Sequence, residues 1–315
     1  MVQELAIETR GLTKQFERHV AVRELDLQVA SGEVYGLIGP NGAGKTTLIR
    51  MLATVEEPTK GEIYLHGDRL LRDGSNPLLK QRLGYLPDDF PLYEDLTVWD
   101  YLDYFARLYS LKQPQRQRRL FEVLELVQLG NKRHSPITAL SRGMKQRLSL
   151  ARTIIHEPIL LLLDEPVSGL DPIARMQFRD IIKVLQEAGM TILISSHILS
   201  DLAELCNSVG IMELGYLVEN TSLQALYQRL SHQHITISTL GKLNLLQTEL
   251  SKNPLVQEWQ SLTENSLRVN FSGGAEDSAN LLRSLIAANI PLTGFHCQEE
   301  DLESIFLKLG HQQAS

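Results

Sequence analysis

Eight consecutive residues combine glycines, a lysine and a threonine at a spacing suited to binding phosphate. The segment Gly39-Pro40-Asn41-Gly42-Ala43-Gly44-Lys45-Thr46 fits the pattern G-x-x-x-x-G-K-[ST]. Glycine lets a backbone adopt positive φ and approach an anion without a Cβ clash, so the N–H groups can form an anion nest. Lys45 would sit between the β- and γ-phosphates of a nucleotide, Thr46 would bind Mg²⁺, and Thr47 would bond a phosphate oxygen.

A chance glycine-rich turn is the alternative interpretation of this loop. An apolar segment, Glu33–Ile38, precedes the loop and is predicted as a strand, and Thr46–Leu52 after it is predicted as a helix. The phosphate-binding pattern requires this strand–loop–helix context, because the helix N-terminus adds free N–H groups and a positive dipole. The context favours the phosphate-binding interpretation.

Two carboxylates follow a second apolar segment. Ile159–Leu163 is predicted as a buried strand, and Asp164 and Glu165 come directly after it. Ligands bind at the carboxyl ends of parallel strands, so we expect Asp164 to hold Mg²⁺ through water and Glu165 to act as a general base. Alone, the pair could equally be a strand end that meets solvent. Together with the phosphate loop it predicts nucleotide hydrolysis.

His197 follows the predicted strand Thr191–Ser195 in the same way. It could reach a γ-phosphate oxygen, stabilise charge in the transition state and position the attacking water. A lone histidine is usually structural, so this role depends on the other motifs.

The elements that must position these residues alternate between strands and helices. Further strands are predicted at Ala6–Thr9 and Ala21–Val29, and a helix from Asp171-Pro172 to Ala188 that ends at Gly189. This order indicates an α/β fold with a mostly parallel sheet covered on both sides.

Residues 85–157 are predicted to form a helical subdomain. Thr97 and Asp100 resemble a helix capping box, and a later helix is predicted at Arg119–Leu129, with Gly130 at its C′ position.

The pattern changes near residue 231, which predicts a cassette over residues 1–230 and a small α+β domain over 231–315. That domain has the order β-α-β-β-α-β, typical of a ferredoxin-like fold. Its predicted elements are His234–Leu240, Leu243–Lys252, Val256–Ser261, Leu267–Phe271, Asp277–Ala288 and Leu292–Cys297, followed by a last helix at Asp301–Leu309.

Composition limits the classes of function and location. The 315 residues carry a net charge of −7, which argues against nucleic acid as a partner. The two cysteines, Cys206 and Cys297, form no metal or disulfide pattern and suit a reducing cytosol. The N-terminus lacks the features of a signal peptide, and no stretch approaches the ~20 apolar residues of a membrane span. We therefore expect a cytoplasmic protein.

The motifs, in this order, resemble an ATP-binding cassette subunit, the ATPase half of an ABC transporter, over residues 1 to about 230. The segment Leu140-Ser141-Arg142-Gly143-Met144 is similar to the family's signature sequence Leu-Ser-Gly-Gly-Gln, although Arg142 and Met144 depart from it. In isolation Ser141 is an ordinary helix N-cap. The resemblance implies a P-loop NTPase fold, ATP and Mg²⁺ as cofactors, and contact of Ser141 and Gly143 with ATP held by an opposite subunit.

Three further positions follow from the resemblance. Phe16 lies where the family stacks an aromatic ring on adenine, and Ser168-Gly169-Leu170-Asp171 resembles the family's D-loop. The family usually has a glutamine that contacts Mg²⁺ and the membrane partner where this chain has Asp88. A carboxylate is also a hard oxygen ligand, but it is shorter and charged, so a metal role for Asp88 is an open question.

The resemblance also implies partner proteins and a function in transport. Lys45 and Ser141 share one site only if two cassettes pair head to tail, which predicts a homodimer with both sites at the interface. ATP-driven closure would move a separate membrane permease, and the chain would lie at the inner face of the cell membrane through that partner. Gly84–Leu111 and Asp301–Leu307 look like the export-type subgroup that handles drugs, lipids or polysaccharides.

Two other functions compete with this one. A soluble ABC-type ATPase acting on ribosomes or DNA would usually carry two fused cassettes or long coiled coils, which are not seen here. A small-molecule kinase would share the phosphate loop but would need an acceptor pocket and would have no use for a signature helix.

Overall fold

The computed structural model describes residues 4–71, 77–89, 92–198, 202, 204–230, 233–241 and 243–299. The chain divides into two compact units, Met1–Gln224 and Ala225–Ser315, and each is described by itself. None of the helices in these described ranges has the length and apolar character needed to cross a membrane.

The ten strands that the structure describes in the first unit form two sheets. They are β1 (Leu5–Phe16), β2 (His19–Ala30), β3 (Val34–Ile38), β4 (Lys60–Leu65), β5 (Asp68–Arg69), β6 (Leu83–Leu86), β7 (Leu160–Leu163), β8 (Thr191–Ser196), β9 (Ser208–Glu213) and β10 (Tyr216–Ser222). The larger sheet has the order β10-β9-β3-β8-β7-β6, and the smaller one β2-β1-β4-β5.

The larger sheet is parallel except for β10, as the alternation of strands and helices predicted. Every residue of β3, β7 and β8 is buried, which explains why these segments are mostly apolar and do not alternate between apolar and polar residues. Their carboxyl ends lead into the phosphate loop, the acidic pair and His197, so the sheet brings the three motifs to one edge.

The smaller sheet is antiparallel, and its two long strands exceed the predicted segments. Register shifts interrupt the β1–β2 pairing between Thr9 and Leu12 and again between Leu12 and Lys14. These irregularities break the alternation of apolar and polar residues, so the sequence indicated only the regular part of β1. One hydrophobic cluster then joins both sheets and the first helix, including Ile7, Leu27, Leu37, Leu48 and Leu162.

Six helices lie in the first unit, as far as the structure describes it: α1 (Lys45–Leu52), α2 (Pro77–Lys80), α3 (Val98–Leu108), α4 (Gln115–Leu126), α5 (Arg142–Ile154) and α6 (Pro172–Glu187). Thr97 caps α3 by accepting a hydrogen bond from the Asp100 N–H, and Asp171 caps α6, as the sequence predicted. Gly189 adopts φ +88° directly after α6 and its cap residue Ala188, which confirms the predicted helix end.

The predicted end of α4 is wrong. The helix stops at Leu126, and Gln128 takes the left-handed conformation with φ +56°, whereas Gly130 begins a short 3₁₀ turn. The Gln128 and Leu129 N–H groups close the end of α4 by bonding to the Glu125 and Leu124 carbonyls. Leu129 is thereby buried, and this gain outweighs the preference for glycine at a helix end.

The helix α7 (Leu223–Leu230) contains the division between the units. The described part of the second unit continues with β11 (Gln233–Thr239), α8 (Asn244–Leu250), β12 (Val256–Thr263), β13 (Ser266–Phe271), α9 (Ala275–Ala287) and β14 (Leu292–Glu299). Its sheet has the order β12-β13-β11-β14 with antiparallel neighbours, and Ile235, Val269, Leu246 and Leu281 contribute to its core. The predicted helix Asp301–Leu309 lies outside the described residues.

Candidate active site

The loop from β3 to α1 is built so that two of its glycines admit no side chain. Gly44 has φ +106° and caps α1, and a Cβ added there would collide with the backbone oxygen of Ala21. A Cβ on Gly39 would collide with the backbone oxygen of Met212. The neighbouring strands therefore hold the loop tightly, which is why these positions require glycine.

The rest of the loop is fixed by backbone hydrogen bonds. The Ala43 N–H donates to the Pro40 carbonyl at 3.2 Å, and the Ala43 carbonyl accepts from the Gly215 N–H at 3.0 Å. Gly42 adopts φ +84°. Three polar residues of the loop and the first turn of α1 remain accessible to a ligand: Asn41, Thr46 and, in part, Thr47.

The Lys45 ammonium is almost completely buried, with 5% of the side chain exposed. It donates to the Gly39 carbonyl at 2.6 Å and lies 3.3 Å from Oε1 of Glu165. A buried charge needs such partners, and the ammonium has three N–H donors whose present acceptors can be exchanged for phosphate oxygens. The contact joins the phosphate loop to the acidic pair.

Asp164 is buried at the end of β7 and has one oxygen without a hydrogen-bond partner. Its Oδ1 accepts a hydrogen bond from the Ser195 hydroxyl at 2.8 Å, whereas Oδ2 accepts none. Burial raises the pKa of Asp164, the nearby Ser195 and Thr46 hydroxyls oppose this rise, and the carboxylates of Glu165 and Asp88 add to it. A buried, unpartnered carboxylate oxygen beside a threonine hydroxyl fits a hard cation such as Mg²⁺.

Glu165 is held by contacts on both its backbone and its side chain. The residue has φ +48°, an unfavourable conformation for a non-glycine residue, and its N–H donates to the Ser195 hydroxyl at 2.9 Å. Its Oε2 lies 2.8 Å from Nδ1 of His197. The structure thus brings together Lys45, Glu165 and His197, three residues from distant segments.

Asp88 lies in the loop after β6, next to the acidic pair. β6 pairs in parallel with β7, and the Asp164 N–H donates to the Leu86 carbonyl at 2.9 Å. Burial raises the pKa of Asp88, the carboxylates of Glu165 and Asp89 raise it further, and the charges of Arg142 and His197 oppose the rise. Asp88 therefore belongs to the electrostatic environment of the site.

The signature segment begins α5. The Ser141 hydroxyl accepts a hydrogen bond from the Met144 N–H at 3.3 Å, so Ser141 is the helix N-cap. Gly143 is buried, and a Cβ on it would lie 2.6 Å from Cβ of Ala174 in α6. Ser141 therefore contacts its own helix, and Gly143 packs against α6.

Phe16 lies at the end of β1 with 41% of its surface exposed. It pairs with His19 of β2, and Ala21 further along that strand contacts Gly44. The Lys14 ammonium lies 4.8 Å from the centre of the Phe16 ring. This exposed ring is therefore carried by the strand pair that borders the phosphate loop.

Comparison with known proteins identifies the family. The family model described as ABC transporter matches residues 22–168. The chain is 32% identical to the bacitracin transport ATP-binding protein BcrA of Enterococcus faecalis, over 98% of this chain and 97% of that protein.

The chain belongs to the ATP-binding proteins of ABC transporters. This ABC cassette protein is also 37% identical to the Nod factor export ATP-binding protein I of Cupriavidus metallidurans, over 66% of this chain and 68% of that protein. A solved structure of an ATP-binding subunit of an ABC transporter is 31% identical and covers 71% of this chain and 92% of its own, with a TM-score of 0.63.

Membership confirms the predicted P-loop NTPase fold, ATP binding and ATPase activity, and it supports the transport role. Neither a soluble ABC-type ATPase nor a small-molecule kinase gains support from these comparisons.

Sequence reasoning missed one residue of this ABC cassette site. Ser195 is fully buried at the end of β8, where its hydroxyl donates to Asp164 and accepts from the Glu165 N–H. The one signal in the sequence was a serine at the end of an apolar strand. That serine can be linked to the acidic pair only when the strand order shows that the two strands are neighbours.

Proposed function

We propose that this chain hydrolyses ATP with Glu165 as general base and drives a separate membrane permease, as one half of a homodimer. The observation that carries the proposal is the cluster in which Glu165 contacts Lys45 through one carboxylate oxygen and His197 through the other. Ionisable groups that contact one another at the carboxyl ends of parallel strands are typical of the sites where such sheets bind ligands.

Binding of ATP would rearrange the contacts of Lys45. Its ammonium now bonds to the Gly39 and Pro40 carbonyls and pairs with Glu165. Phosphate oxygens offer more negative charge than carbonyls, so Lys45 would turn to the β- and γ-phosphates. The loop N–H groups and the N-terminus of α1 would bind the remaining oxygens, and Phe16 would stack on adenine.

Once Lys45 has moved, Glu165 would be free to orient a water molecule toward the γ-phosphate. Its carboxylate would accept the proton of that water, while His197 would hold the carboxylate and contact the γ-phosphate. Ser195 would position both Asp164 and the Glu165 backbone. Bound Mg²⁺ would supply positive charge on the phosphate oxygens, and Thr46, Asp164 and Asp88 are the residues proposed to hold it, directly or through water.

Ser141 and Gly143 would complete the site of the opposite subunit. The exposed N-terminus of α5 can offer N–H groups to a phosphate only if a second chain brings its nucleotide there. In a head-to-tail pair with two-fold symmetry, each chain completes the nucleotide site of the other. ATP would then favour the closed dimer, and hydrolysis would favour the open one.

The membrane partner would convert this motion into transport. The relatives named for bacitracin transport and for Nod factor export support an export role, with the chain held at the cytoplasmic face of the membrane by its permease. We also propose a cassette over residues 1–230 and a ferredoxin-like accessory domain over 231–315, which the strand order β12-β13-β11-β14 supports.

The test is the Glu165→Gln variant, with ATP turnover and the association state measured together. Removal of a general base lowers kcat by about 10²–10⁴-fold, and the isosteric amide keeps the shape of the site. ATP and Mg²⁺ should therefore convert the variant to a lasting dimer in light scattering. Glu157→Gln, at a side chain that is 72% exposed, is the control and should behave as wild type. Native turnover by Glu165→Gln would exclude Glu165 as the base.

A further inference from the structure

Arg142 occupies a signature position where the family commonly has glycine, and its side chain reaches a second part of the site. Its Nη2 donates a hydrogen bond to the Ser168 carbonyl at 3.1 Å. Ser168 lies in the turn that follows the acidic pair, so the signature helix and this turn are joined within one chain.

The guanidinium also packs against the neighbouring glycine of that turn. Gly169 has φ +66°, and a Cβ on it would lie 2.5–2.7 Å from three atoms of the Arg142 guanidinium. Only a residue without a side chain leaves room for this contact. The planar group therefore contacts the turn through both a hydrogen bond and close packing.

The turn held by Arg142 is the one that begins at Glu165. The Ser168 N–H donates to the Glu165 carbonyl at 3.1 Å, while the Ser168 carbonyl accepts from Arg142. Glu165 itself has the unfavourable φ of +48°, which persists only when surrounding contacts fix it. Ser168 thus connects the Arg142 guanidinium to the backbone of Glu165.

We propose that Arg142 is a positioning residue for ATP hydrolysis, which holds the turn from Glu165 to Gly169 so that the Glu165 carboxylate stays aligned with the attacking water. The inference rests on the proposed role of Glu165. Arg142 acts through the turn and touches neither ATP nor water in its own site, so its loss affects the chemical step more than binding of ATP.

The experiment compares Arg142→Ala and Arg142→Lys in the full chain, by steady-state ATP turnover and by equilibrium binding of ATP. Misplacement of a catalytic group by about 1 Å can cost about a hundredfold in rate, so we expect Arg142→Ala to lower kcat by about 10–100-fold. Its dissociation constant for ATP should change by less than about twofold, the pattern of an interaction that matters only in the transition state.

Arg142→Lys keeps the charge and one donor but loses the planar group that packs on Gly169, so it should recover part of kcat. Arg118→Ala is the matched control, because the Arg118 side chain is 84% exposed on α4 and pairs with Glu122 of the same helix. Melting curves show whether each variant is folded. If Arg142→Ala is unfolded, Arg142→Lys becomes the test of the positioning role.

Three outcomes overturn the proposal: wild-type kcat in Arg142→Ala, a loss of ATP affinity equal to the loss of rate, or no recovery in Arg142→Lys. If Glu165→Gln stops turnover while Arg142→Ala does not, the role of Glu165 stands and the role of Arg142 is refuted. If Glu165→Gln hydrolyses ATP at the wild-type rate, Glu165 is not the general base, and the proposed role of Arg142 loses its basis as well.

Discussion

Nδ1 of His197 lies 2.8 Å from Oε2 of Glu165, and the other oxygen of that carboxylate lies 3.3 Å from the Lys45 ammonium. Glu165 is therefore held from two sides. When Lys45 turns to a phosphate, the contact with His197 is the one that still fixes the direction of the carboxylate.

Loss of the imidazole should therefore slow hydrolysis without weakening binding of ATP. We expect His197→Ala to lower kcat by about 10²–10³-fold, the effect of removing one preorganised donor from a reacting centre. His134→Ala, at an exposed histidine away from the cluster, is the control for loss of a histidine. The measurements are ATP turnover in a phosphate-release assay and, in parallel, the dissociation constant for ATP. An unchanged kcat would leave His197 with a structural role only.

Asp164→Asn should stabilise the nucleotide-free protein while it removes activity. The pKa of Asp164 is raised in the fold, so folding favours its neutral form, and the charged form at neutral pH costs free energy. A neutral isostere removes that cost, and we expect the melting temperature to rise by about 2 °C. Turnover should fall by at least about tenfold, because a neutral amide is a poorer Mg²⁺ ligand.

The pH dependence gives a second check on Asp164. The stability difference between Asp164→Asn and wild type should shrink as the pH falls through the raised pKa of Asp164, because the wild-type carboxyl then becomes neutral in the fold. A variant that is less stable than wild type at neutral pH would show that the charge of Asp164 is well compensated without a cation.

Substitutions at Ser141 separate its two roles, because asparagine and aspartate cap helices about as well as serine. Ser141→Asn and Ser141→Asp should both keep the melting temperature, since both preserve the cap of α5. In the proposed dimer only the aspartate brings a negative charge toward the γ-phosphate of the opposite subunit, so we expect Ser141→Asp to lose turnover and ATP-induced dimerisation. Native turnover in Ser141→Asp would reduce Ser141 to a helix cap.

The chemistry of the site was predictable where it depends on short segments. The phosphate loop is one continuous run of residues, and the acidic pair and His197 directly follow apolar strands. Local composition is enough to indicate such strands, and parallel pairing of β3, β8 and β7 then brings their ends together.

Contacts between distant segments were not predictable. The hydrogen bond from Arg142 to Ser168 and the two bonds of Ser195 depend on which elements are neighbours, and no local pattern predicts these contacts. The end of α4 was misplaced for a related reason. Burial of Leu129 decides where that helix stops, whereas the sequence offered only the usual preference for glycine.

The most direct test of the account is equilibrium binding of ATP in the presence of Mg²⁺ by the wild-type chain and by Lys45→Ala. Charge-assisted hydrogen bonds contribute about 1.5–3 kcal/mol each, so we expect the dissociation constant to rise by at least about tenfold in the variant. Lys252→Ala, at a side chain that is 66% exposed, should bind as wild type does. Undiminished binding by Lys45→Ala, or no binding by the wild-type chain, would contradict the account.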